Sequence, residues 1–416
     1  MESKFIKVAV ISDLHVGDMA KGKDFSPEKT ENASVENYLQ EFSDFITREK
    51  LSADYLLVTG DISNKAKDSE FELASDLIGK IAHTLGVSRK HILFCPGNHD
   101  ISWPAITSQK EAGASDELVL KAKYLNFLKP GLIFSENQAH GAGRFDDAPY
   151  FVTWNFGDIN VFSLNSAIYD GPDTKPHCGE IKSEQLAALE LLLDTQIDKT
   201  KLNIFILHHH PKQYHDRTFR EGDKSGMINA DGLLHLLSKK EIDFIVHGHK
   251  HIPRFDMEIN SDGHPLWILC SGSFSSRLDD RHFGGVGNFF HIIDFHSRCQ
   301  DNGWSRGVVR SWTHLLGHKW LESGTIDFDS ANQFGAYVSP KQLRTLLETT
   351  LENLFEKQSF IEWNDLIAAN ESIQYYPNNL LRSNLSAVAD KMKLLQRYSG
   401  QQQAFETLIL IRERSA

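Results

Sequence analysis

Five short motifs along the chain carry side chains that can bind metal ions, and each motif directly follows a short apolar run. In chain order they are Asp13-Leu14-His15, Gly60-Asp61, Gly97-Asn98-His99-Asp100, His208-His209-His210-Pro211 and His247-Gly248-His249-Lys250-His251. Their carboxylate, imidazole and amide groups suit Mn²⁺, Fe or Zn²⁺ as ligands. The four cysteines lie outside the motifs and form no Cys-x-x-Cys pair, which argues against a thiolate-held zinc. The motifs therefore predict a metal centre without cysteine ligands.

A carboxylate shared by two cations would allow a pair of metal ions to occupy one site. Two neighbouring cations repel each other, and Asp61 is well placed to be the bridging carboxylate that relieves this repulsion. Two metal ions about 3.5–4 Å apart can hold a hydroxide and also bind phosphoryl oxygens. Because the metals lower the pKa of bound water towards about 7, that water becomes a nucleophile at neutral pH. The chemistry expected of these residues is hydrolysis of a phosphate ester by a metal-bridging hydroxide.

The elements that must position these motifs are short strands that alternate with helical patterns. Apolar runs of this length are typical of strands buried on both faces of a sheet. The predicted strands are Val8–Ser12, Tyr55–Thr59, Ile92–Cys95, Phe151–Trp154, Ile159–Leu164, Asn203–Leu207, Phe244–His247, Leu266–Ser271 and Phe289–Asp294. The spacing of Phe71–Leu85 predicts an amphipathic helix, and Leu186–Leu193 predicts another with Ser183 as its N-cap.

Strand–helix alternation predicts right-handed βαβ units, and hence a layered α/β fold. In open α/β sheets, ligands bind beyond the carboxyl ends of the strands. Each of the five motifs begins where a predicted strand ends. We therefore expect the five loops to converge on one site.

Two segments depart from this alternation. Residues 101–149 contain a predicted helix at Asp116–Leu128 and then a loop with Gly and Asp, and we interpret the segment as an insertion that caps one edge of the site. The alternating residues of Val308–Glu322 predict a late hairpin that closes the sheet, with Gly317 near its turn. On this interpretation the main domain covers residues 1–325.

The pattern becomes helical from about Ser339 onwards. Pro340 suits the first position of a helix, and the leucines that follow it fit one helical face. Further helices are predicted at Ala387–Leu395 and Phe405–Ile411. We expect residues 336–416 to form a separate, mostly helical C-terminal module.

The ordered set D-x-H, G-D, G-N-H-D, H-x-x-P and G-H-x-H resembles the motifs of the calcineurin-like metallophosphoesterase superfamily. The similarity extends from Asp13 to His251, and the strand pattern extends it to about residue 325. One D-x-H alone carries almost no information, whereas five motifs in this order, each at a strand end, are highly specific. The resemblance implies a calcineurin-like four-layer α/β/β/α sandwich, followed here by the small helical C-terminal module.

The resemblance also implies how the metal ligands divide between two divalent ions. Mn²⁺ is the expected metal, and Fe or Zn²⁺ is the alternative. The first ion would be bound by Asp13, His15, Asp61 and His251. The second would be bound by Asp61, Asn98, His208 and His249, so that Asp61 is shared. Three consecutive histidines leave His209 as the rival of His208 for one ligand position.

Two further residues receive catalytic roles from the resemblance. His99 matches the family's catalytic histidine, which contacts the phosphate and protonates or stabilises the leaving-group oxygen. Asp100 would orient His99 or the neighbouring backbone. Proton transfer by a positioned histidine contributes about 10²–10⁴-fold to a rate.

Three hypotheses for the function follow. The first is a phosphodiesterase acting on a cyclic nucleotide, a nucleic acid or another phosphodiester, because a poor alkoxide leaving group benefits from an acid such as His99. The second is a phosphomonoesterase, a nucleotide or protein phosphatase, which would use every one of the same metal ligands. In the third, the C-terminal helices recruit a protein partner, and this role can coexist with hydrolysis.

The net charge and the absence of long apolar segments bear on nucleic-acid binding and on the cellular location. A net charge of −12 disfavours a broad nucleic-acid-binding surface, because non-specific affinity comes mainly from Lys and Arg, although a local basic groove stays open. No apolar segment is long enough to span a membrane, and the N-terminus has no secretory signal, so we expect a cytoplasmic protein.

His215, Arg217 and Arg220 could face a phosphate, but a solvated loop is favoured. Trp103 and Tyr124 could stack on a base, but packing is favoured.

Overall fold

The computed structural model describes residues 5–29, 31–138, 150–174, 177–214, 225–259, 263–278, 285–315, 319–322, 324–325, 328–398 and 405–412. The chain divides into two compact units. The first consists of Phe5–Asp294 with Arg310–Ser330, and the second contains Phe295–Val309 with Ala331–Ala416. The domain bounds expected from the sequence, 1–325 and 336–416, stay a prediction beside these units.

The first sheet is built around three parallel strands with buried apolar side chains. β1 (Ile6–Ile11) pairs with β2 (Tyr55–Thr59), and β2 pairs with β3 (Ile92–Cys95). The sheet continues beyond β1 with β10 (Asn288–His296), β11 (Arg306–Leu315) and β12 (Lys319–Glu322), in the order β12-β11-β10-β1-β2-β3. β11 and β12 form the predicted antiparallel hairpin, whose turn with Gly317 lies outside the described residues.

The second sheet also has a parallel centre, with an antiparallel strand at each edge. Its strands are β4 (Phe151–Asn155), β5 (Ile159–Leu164), β6 (Leu202–Ile206), β7 (Phe244–His247), β8 (Arg254–Ile259) and β9 (Pro265–Cys270), in the order β4-β5-β6-β7-β9-β8. β5, β6, β7 and β9 are parallel, whereas β4 and β8 are antiparallel to their neighbours. The predicted strands are all confirmed. The sequence missed β8, because this half-exposed edge strand mixes charged and apolar residues.

Helices cover the two sheets of the first unit. They are α1 (Tyr38–Glu49), α2 (Asp68–Thr84), α3 (Trp103–Glu111), α4 (Asp116–Lys123), α5 (Ile133–Gln138), α6 (Ser183–Gln196) and α7 (Ala230–Lys239). Phe42 of α1 packs edge-on against Phe290 of the first sheet, with ring centroids 5.0 Å apart. Leucines of α6 and α7 share a buried cluster with apolar residues of the second sheet. The Ser163 hydroxyl of β5 donates a 2.9 Å hydrogen bond to the Phe94 carbonyl of β3, joining the sheets. The predicted four-layer α/β/β/α architecture is confirmed.

Two helix predictions need correction at their ends. The helix expected at Asp116–Leu128 ends at Lys123, and turns follow it. Ser183 is the first residue of α6 rather than its N-cap, because the Gln185 side chain accepts a 2.7 Å hydrogen bond from the Lys182 amide and makes Lys182 the cap. The segment read as a cap, 101–149, holds α3, α4 and α5. Its part at 139–149 lies outside the described residues, and its capping role stays a prediction.

The second unit combines helices with a small antiparallel sheet. Its elements include β13 (Ala331–Phe334), α8 (Pro340–Phe355), β14 (Phe360–Glu362), α9 (Trp363–Ala369), α10 (Asn378–Met392), β15 (Leu394–Tyr398) and β16 (Leu408–Arg412). Pro340 begins α8 as predicted, and Ser339 caps it. From α8 onwards, the succession helix–strand–helix–helix–strand–strand with the strand order β14-β16-β15 is the topology of a winged helix.

The three strands of this small sheet were not predicted. The helix expected at Phe405–Ile411 is a 3-10 turn followed by β16, and Ala387–Leu395 contains the end of α10 and the start of β15. Leu408 and Leu410 are buried, whereas Ile409 and Ile411 are half-buried. The burial therefore has a strand's period of two, which the sequence hides because both faces carry apolar residues. No helix among the described residues combines the length and apolarity needed for a membrane span.

Candidate metal centre

The loops that carry the five motifs meet beyond the carboxyl ends of β1, β2, β3, β6 and β7. The Asp13 amide donates to the Gly60 carbonyl over 3.0 Å, and the His15 amide donates to the Asp61 carbonyl over 2.9 Å. His208 Nδ1 lies 2.8 Å from the Thr59 carbonyl oxygen, which links the end of β6 to the end of β2. The convergence expected from strand order is therefore present.

A first cluster contains Asp13, His15, Asp61 and His251, each of which offers one ligand atom within 4.8 Å of the others. His251 Nε2 lies 3.1 Å from Asp13 Oδ1 and 3.2 Å from His15 Nε2. His15 Nε2 lies 3.5 Å from Asp61 Oδ2. Asp13, His15 and Asp61 are buried, and His251 is partly exposed. These four residues are the ones that the resemblance assigned to the first metal ion.

A second cluster contains Asp61, His208 and His249, again with one ligand atom each within 4.8 Å of the others. The Asn98 amide oxygen lies 3.1 Å from His249 Nδ1, so it joins this group. His208 Nε2 lies 3.3 Å from Asp61 Oδ2. The neighbouring His209 instead directs Nδ1 towards the Ser166 hydroxyl, 2.9 Å away. The structure thus places His208 beside Asp61, while its role as a ligand stays a prediction.

Asp61 belongs to both clusters. Its Oδ2 atom lies near His15 Nε2 on one side and near His208 Nε2 on the other. Its Oδ1 atom accepts a 2.8 Å hydrogen bond from the His99 amide, which fixes the orientation of the carboxylate. One carboxylate oxygen therefore faces both groups of candidate ligands, as a bridging ligand must.

The buried carboxylate and imidazole groups of this site shift one another's pKa values. Burial opposes ionisation of Asp61, but the surrounding histidines, first His208, outweigh it and hold the pKa of Asp61 well below its usual range. Burial, reinforced by neighbouring histidines, lowers the pKa of His15 and of His249 well below the ordinary value. Burial also acts on His208, yet the Asp61 carboxylate raises the pKa of His208 to about 9. If His208 is a metal ligand, cation binding would displace a proton from it.

His99 lies beside the first cluster, with its ring centroid 4.6 Å from that of His15. Its Nδ1 atom lies 2.9 Å from the Asn64 carbonyl oxygen. Because a carbonyl oxygen only accepts hydrogen bonds, Nδ1 must carry a proton, and Nε2 is left as the nitrogen that exchanges protons. The geometry fixes both the ring orientation and the tautomer.

Asp100 contacts backbone and a hydroxyl rather than the His99 ring. Its fully buried carboxylate accepts hydrogen bonds from the amides of Gly97, Ile62 and Ser63, over 2.8–3.2 Å, and from the Ser63 hydroxyl. Burial, followed by the charge of Asp61, raises the pKa of Asp100 to about 6 against the effect of these donors. Of the two roles expected for Asp100, these contacts match orientation of neighbouring backbone, and the role itself stays a prediction.

The backbone at the site is unusual, because five candidate ligands have left-handed backbone angles. The φ values are 50° at Asp13, 47° at His15, 48° at Asp61, 73° at His249 and 57° at His251. Residues with a Cβ seldom adopt this conformation, which costs about 1–2 kcal/mol each. Strain of this kind persists where surrounding structure enforces it and is concentrated at functional sites.

The donor set fits two cations. His15 Nε2 and His208 Nε2 face the same buried Asp61 oxygen from 3.5 and 3.3 Å, so imidazole nitrogens and a carboxylate already converge as ligands of a cation must. Gly97 and Gly248 allow close approach here, because a Cβ on either would overlap the carboxylate of Asp61 or Asp13. Asp13, His15 and His251 would hold one ion, Asn98, His208 and His249 the other, and Asp61 both.

An apolar cavity lies beside His99, and it has almost no signature in the amino-acid sequence. This cavity has a volume of about 790 Å³ and is lined in part by Met19, Asn98, His99, Ile101, Trp103 and Pro104. Trp103 follows the third motif by only three residues, which is the one signal that pointed to it. Tyr124 is buried and hydrogen-bonded to Asn165, so packing is confirmed for that residue. His215, Arg217 and Arg220 lie outside the described residues.

Comparison with known proteins identifies the family. Residues 6–253 match the family model described as calcineurin-like phosphoesterase, and the chain belongs to this family. The chain is also 25% identical over 285 residues to an uncharacterised metallophosphoesterase-like protein of Bacillus subtilis, YydB. That match covers 66% of this chain and 54% of the relative, so the chain spans about half the length of that protein.

Solved structures with a similar fold include two phosphatases. A dimetal phosphatase from Danio rerio is similar over 76% of this chain and 98% of that chain, with 13% identity and a TM-score of 0.44. Purple acid phosphatase PPD1 from yellow lupin (Lupinus luteus) is similar over 75% of this chain and 52% of that chain, with 14% identity and a TM-score of 0.42. At these TM-scores the similarities carry no functional assignment.

Proposed function

We propose that this calcineurin-like phosphoesterase is a phosphodiesterase that uses two divalent metal ions. Mn²⁺ is the expected metal, with Fe and Zn²⁺ as the alternatives. The observation that carries the proposal is the position of His99 between the shared carboxylate, Asp61, and the apolar cavity. A diester has two alcohol groups and therefore needs space beside the phosphorus, and its alkoxide leaving group needs an acid. The cavity supplies the space, and the His99 ring supplies the acid.

The metal ions would contribute Lewis acidity, which activates water and neutralises charge on the phosphoryl oxygens. The chain's own residues do the rest. Asp61 would connect the two clusters. Its Oδ1 accepts a hydrogen bond from the His99 amide, while its Oδ2 faces the candidate ligands of both clusters. The Thr59 carbonyl accepts a hydrogen bond from His208 Nδ1, so Nε2 is the ring nitrogen that faces the site and would bind a metal ion once it has lost its proton.

His99 would donate the proton that the leaving alcohol requires. Asn64 holds Nδ1 through its carbonyl group, which leaves Nε2 to carry the transferable proton. Asp100 keeps the loop that bears His99 in place through the backbone of Gly97 and of the loop after β2. Loss of the proton donor should therefore slow diesters with poor leaving groups more than those with good ones.

The purified chain, loaded with Mn²⁺, tests the proposal with bis(4-nitrophenyl) phosphate beside 4-nitrophenyl phosphate. We expect a higher kcat/KM for the diester. The matched control is His83→Ala, which removes an exposed histidine of α2 outside the site and should leave turnover and metal content unchanged. A higher kcat/KM for the monoester would overturn the diester preference and favour the phosphomonoesterase.

The remaining expectations about context stay proposals. Recruitment of a protein partner through residues 336–416 is one, and a cytoplasmic location is another. Exposed Phe360 on β14 and Leu395 on β15 give a partner two apolar side chains to contact in the second unit. Replacing both with serine should abolish binding of such a partner while turnover of a small diester continues. Loss of turnover in this variant would show that the second unit is part of the enzyme.

A further inference from the structure

The apolar cavity begins at the groups proposed to act on phosphorus. Asn98, a candidate metal ligand, and His99, the proposed proton donor, both line it. A substituent on the phosphorus at the His99 side would therefore extend into this cavity. Most of the exposed surface of the cavity is apolar and comes from side chains such as Met19, Ile101 and Trp103, while polar residues, including Lys65 and Glu111, complete the lining. Such a surface disfavours a charged or strongly hydrated substituent, because polar groups lose their water on burial without gaining new partners.

Trp103 offers a flat ring that neighbouring groups hold in place. Its indole stacks on the His177 ring with a centroid distance of 4.9 Å and an interplanar angle of 17°. His177 Nδ1 in turn lies 2.9 Å from the buried Asp170 carboxylate. The Lys123 ammonium donates to the carbonyl groups of Ile168 and Asp170, over 2.6 and 2.7 Å. This chain of contacts restricts the indole, so little conformational entropy is lost when a ligand packs against it.

The charges along the cavity give a second constraint. Among its described lining residues, the charged side chains are Lys65 and Glu111. Lys65 already forms a 2.6 Å ion pair with Asp18. Among the described lining residues, a substituent carrying a further phosphate would meet no lysine or arginine other than the paired Lys65. The lining therefore favours an uncharged group over a strand of linked phosphates.

We infer that the apolar cavity is a substrate subsite for a flat, uncharged aromatic group attached to the phosphorus through its alcohol, with Trp103 as the stacking surface. A nucleoside and a simple aryl alcohol share this chemistry. The inference rests on the proposed function for the position of the phosphorus. Stacking of a base on an aromatic side chain corresponds to roughly 5–150-fold in affinity.

Equilibrium binding to the Mn²⁺-loaded full chain tests the subsite by calorimetry, with phenylphosphonate and methylphosphonate as probes. The unmodified chain should bind phenylphosphonate at least about 10-fold more tightly than methylphosphonate. Trp103→Ala should reduce that preference to within about twofold, and Trp103→Phe should keep most of it. Trp304→Ala, at a tryptophan outside the cavity lining, is the matched control and should keep all of it. Metal content is measured for every variant.

Two results would overturn the inference: no preference for the phenyl group in the unmodified chain, or a preference that survives Trp103→Ala. If Trp103→Ala does not fold, Met19→Ala in the same cavity gives the same readout. The non-hydrolysable phosphonate analogue of thymidine 5′-monophosphate, compared with phenylphosphonate, then separates the sources, because a larger Trp103-dependent gain for the first indicates a nucleoside and for the second an aryl alcohol. Since phosphonates have no ester bond to hydrolyse, binding is measured without turnover, and a monoester preference in the activity assay would remove the phosphodiesterase proposal and leave the subsite intact.

Discussion

The loops of the metal centre and the core of the second unit are built on opposite principles. At the metal centre, Asp13 and Asp61 are buried carboxylates in left-handed backbone, facing buried imidazoles. In the second unit, Leu347, Leu351 and Leu385 pack in a cluster of apolar side chains, and α8 begins with a regular cap at Ser339. The metal centre therefore buries charged groups on strained backbone, whereas the core of the second unit buries apolar side chains on regular helices.

This difference shows where the chain concentrates function and where it concentrates stability. Buried charge and strained backbone are unfavourable by themselves, so they persist only where binding or chemistry gives them a use. Apolar packing is favourable by itself and needs no ligand. Substitutions in the first region should therefore act mainly on metal binding and turnover, and those in the second mainly on the free energy of unfolding.

The largest effect is expected from Asp61→Ala. Because Asp61 faces both groups of candidate ligands, its loss should release at least one metal ion and reduce kcat/KM by about 10³-fold or more, the equivalent of several kcal/mol of Lewis-acid stabilisation. Metal content by elemental analysis and turnover of bis(4-nitrophenyl) phosphate measure this. His83→Ala should retain both metals. Full metal content in Asp61→Ala would mean that this carboxylate is no bridge.

His99→Ala should separate proton donation from metal binding. The side chain offers no ligand atom to either cluster, so both metals should stay bound while kcat falls by about 10²–10⁴-fold. The decrease should be greater for an alkyl diester than for the 4-nitrophenyl diester, whose leaving group needs no proton. If the variant loses both metals, the proposed role of His99 is wrong.

Leu351→Ala probes the other side of the comparison. Leu351 is fully buried in the second unit, so truncation should reduce the free energy of unfolding of that unit by about 2–5 kcal/mol. Denaturant unfolding followed by circular dichroism measures this, with Leu395→Ala, 41% exposed on β15, as the control with an effect below about 1 kcal/mol. Metal content should be unchanged. Metal loss without a change in the free energy of unfolding would show that this apolar core serves metal binding rather than stability.

A smaller effect concerns buried charge in the first unit outside the metal centre. Burial lowers the pKa of Lys123 to about 8, against about 10.4 in an unfolded chain. Between these values the unfolded chain binds more protons, so the free energy of unfolding should rise as pH increases from 8 to 10, by roughly 2 kcal/mol. Lys123→Met should lack this part of the rise. Equal slopes for the two proteins over that pH range would contradict a depressed pKa.

Much of the first unit could be predicted because its signals are local. Strands such as Tyr55–Thr59 are apolar throughout, and the five motifs begin where strands end, so strand order alone brings their loops together. Asp61 could be nominated as the shared carboxylate in the same way. These inferences need residue types and order along the chain, which a sequence supplies directly.

The remaining features depend on spatial relations that a sequence does not contain. The choice of His208 over His209 beside Asp61 is set by the Ser166 hydroxyl, 43 residues away from His209 along the chain. The left-handed backbone of His249 and the apolar cavity that contains Met19 and Trp103 have no local signature. In the second unit, β14 has only three residues, too short for periodicity to distinguish it from a turn.

Anomalous diffraction from crystals of the Mn²⁺-loaded chain tests the shared carboxylate most directly. We expect two manganese peaks per chain, one in contact with His15 and His251 and the other with His208 and His249, with Asp61 in contact with both. A single peak, or two peaks of which only one contacts Asp61, would contradict this expectation.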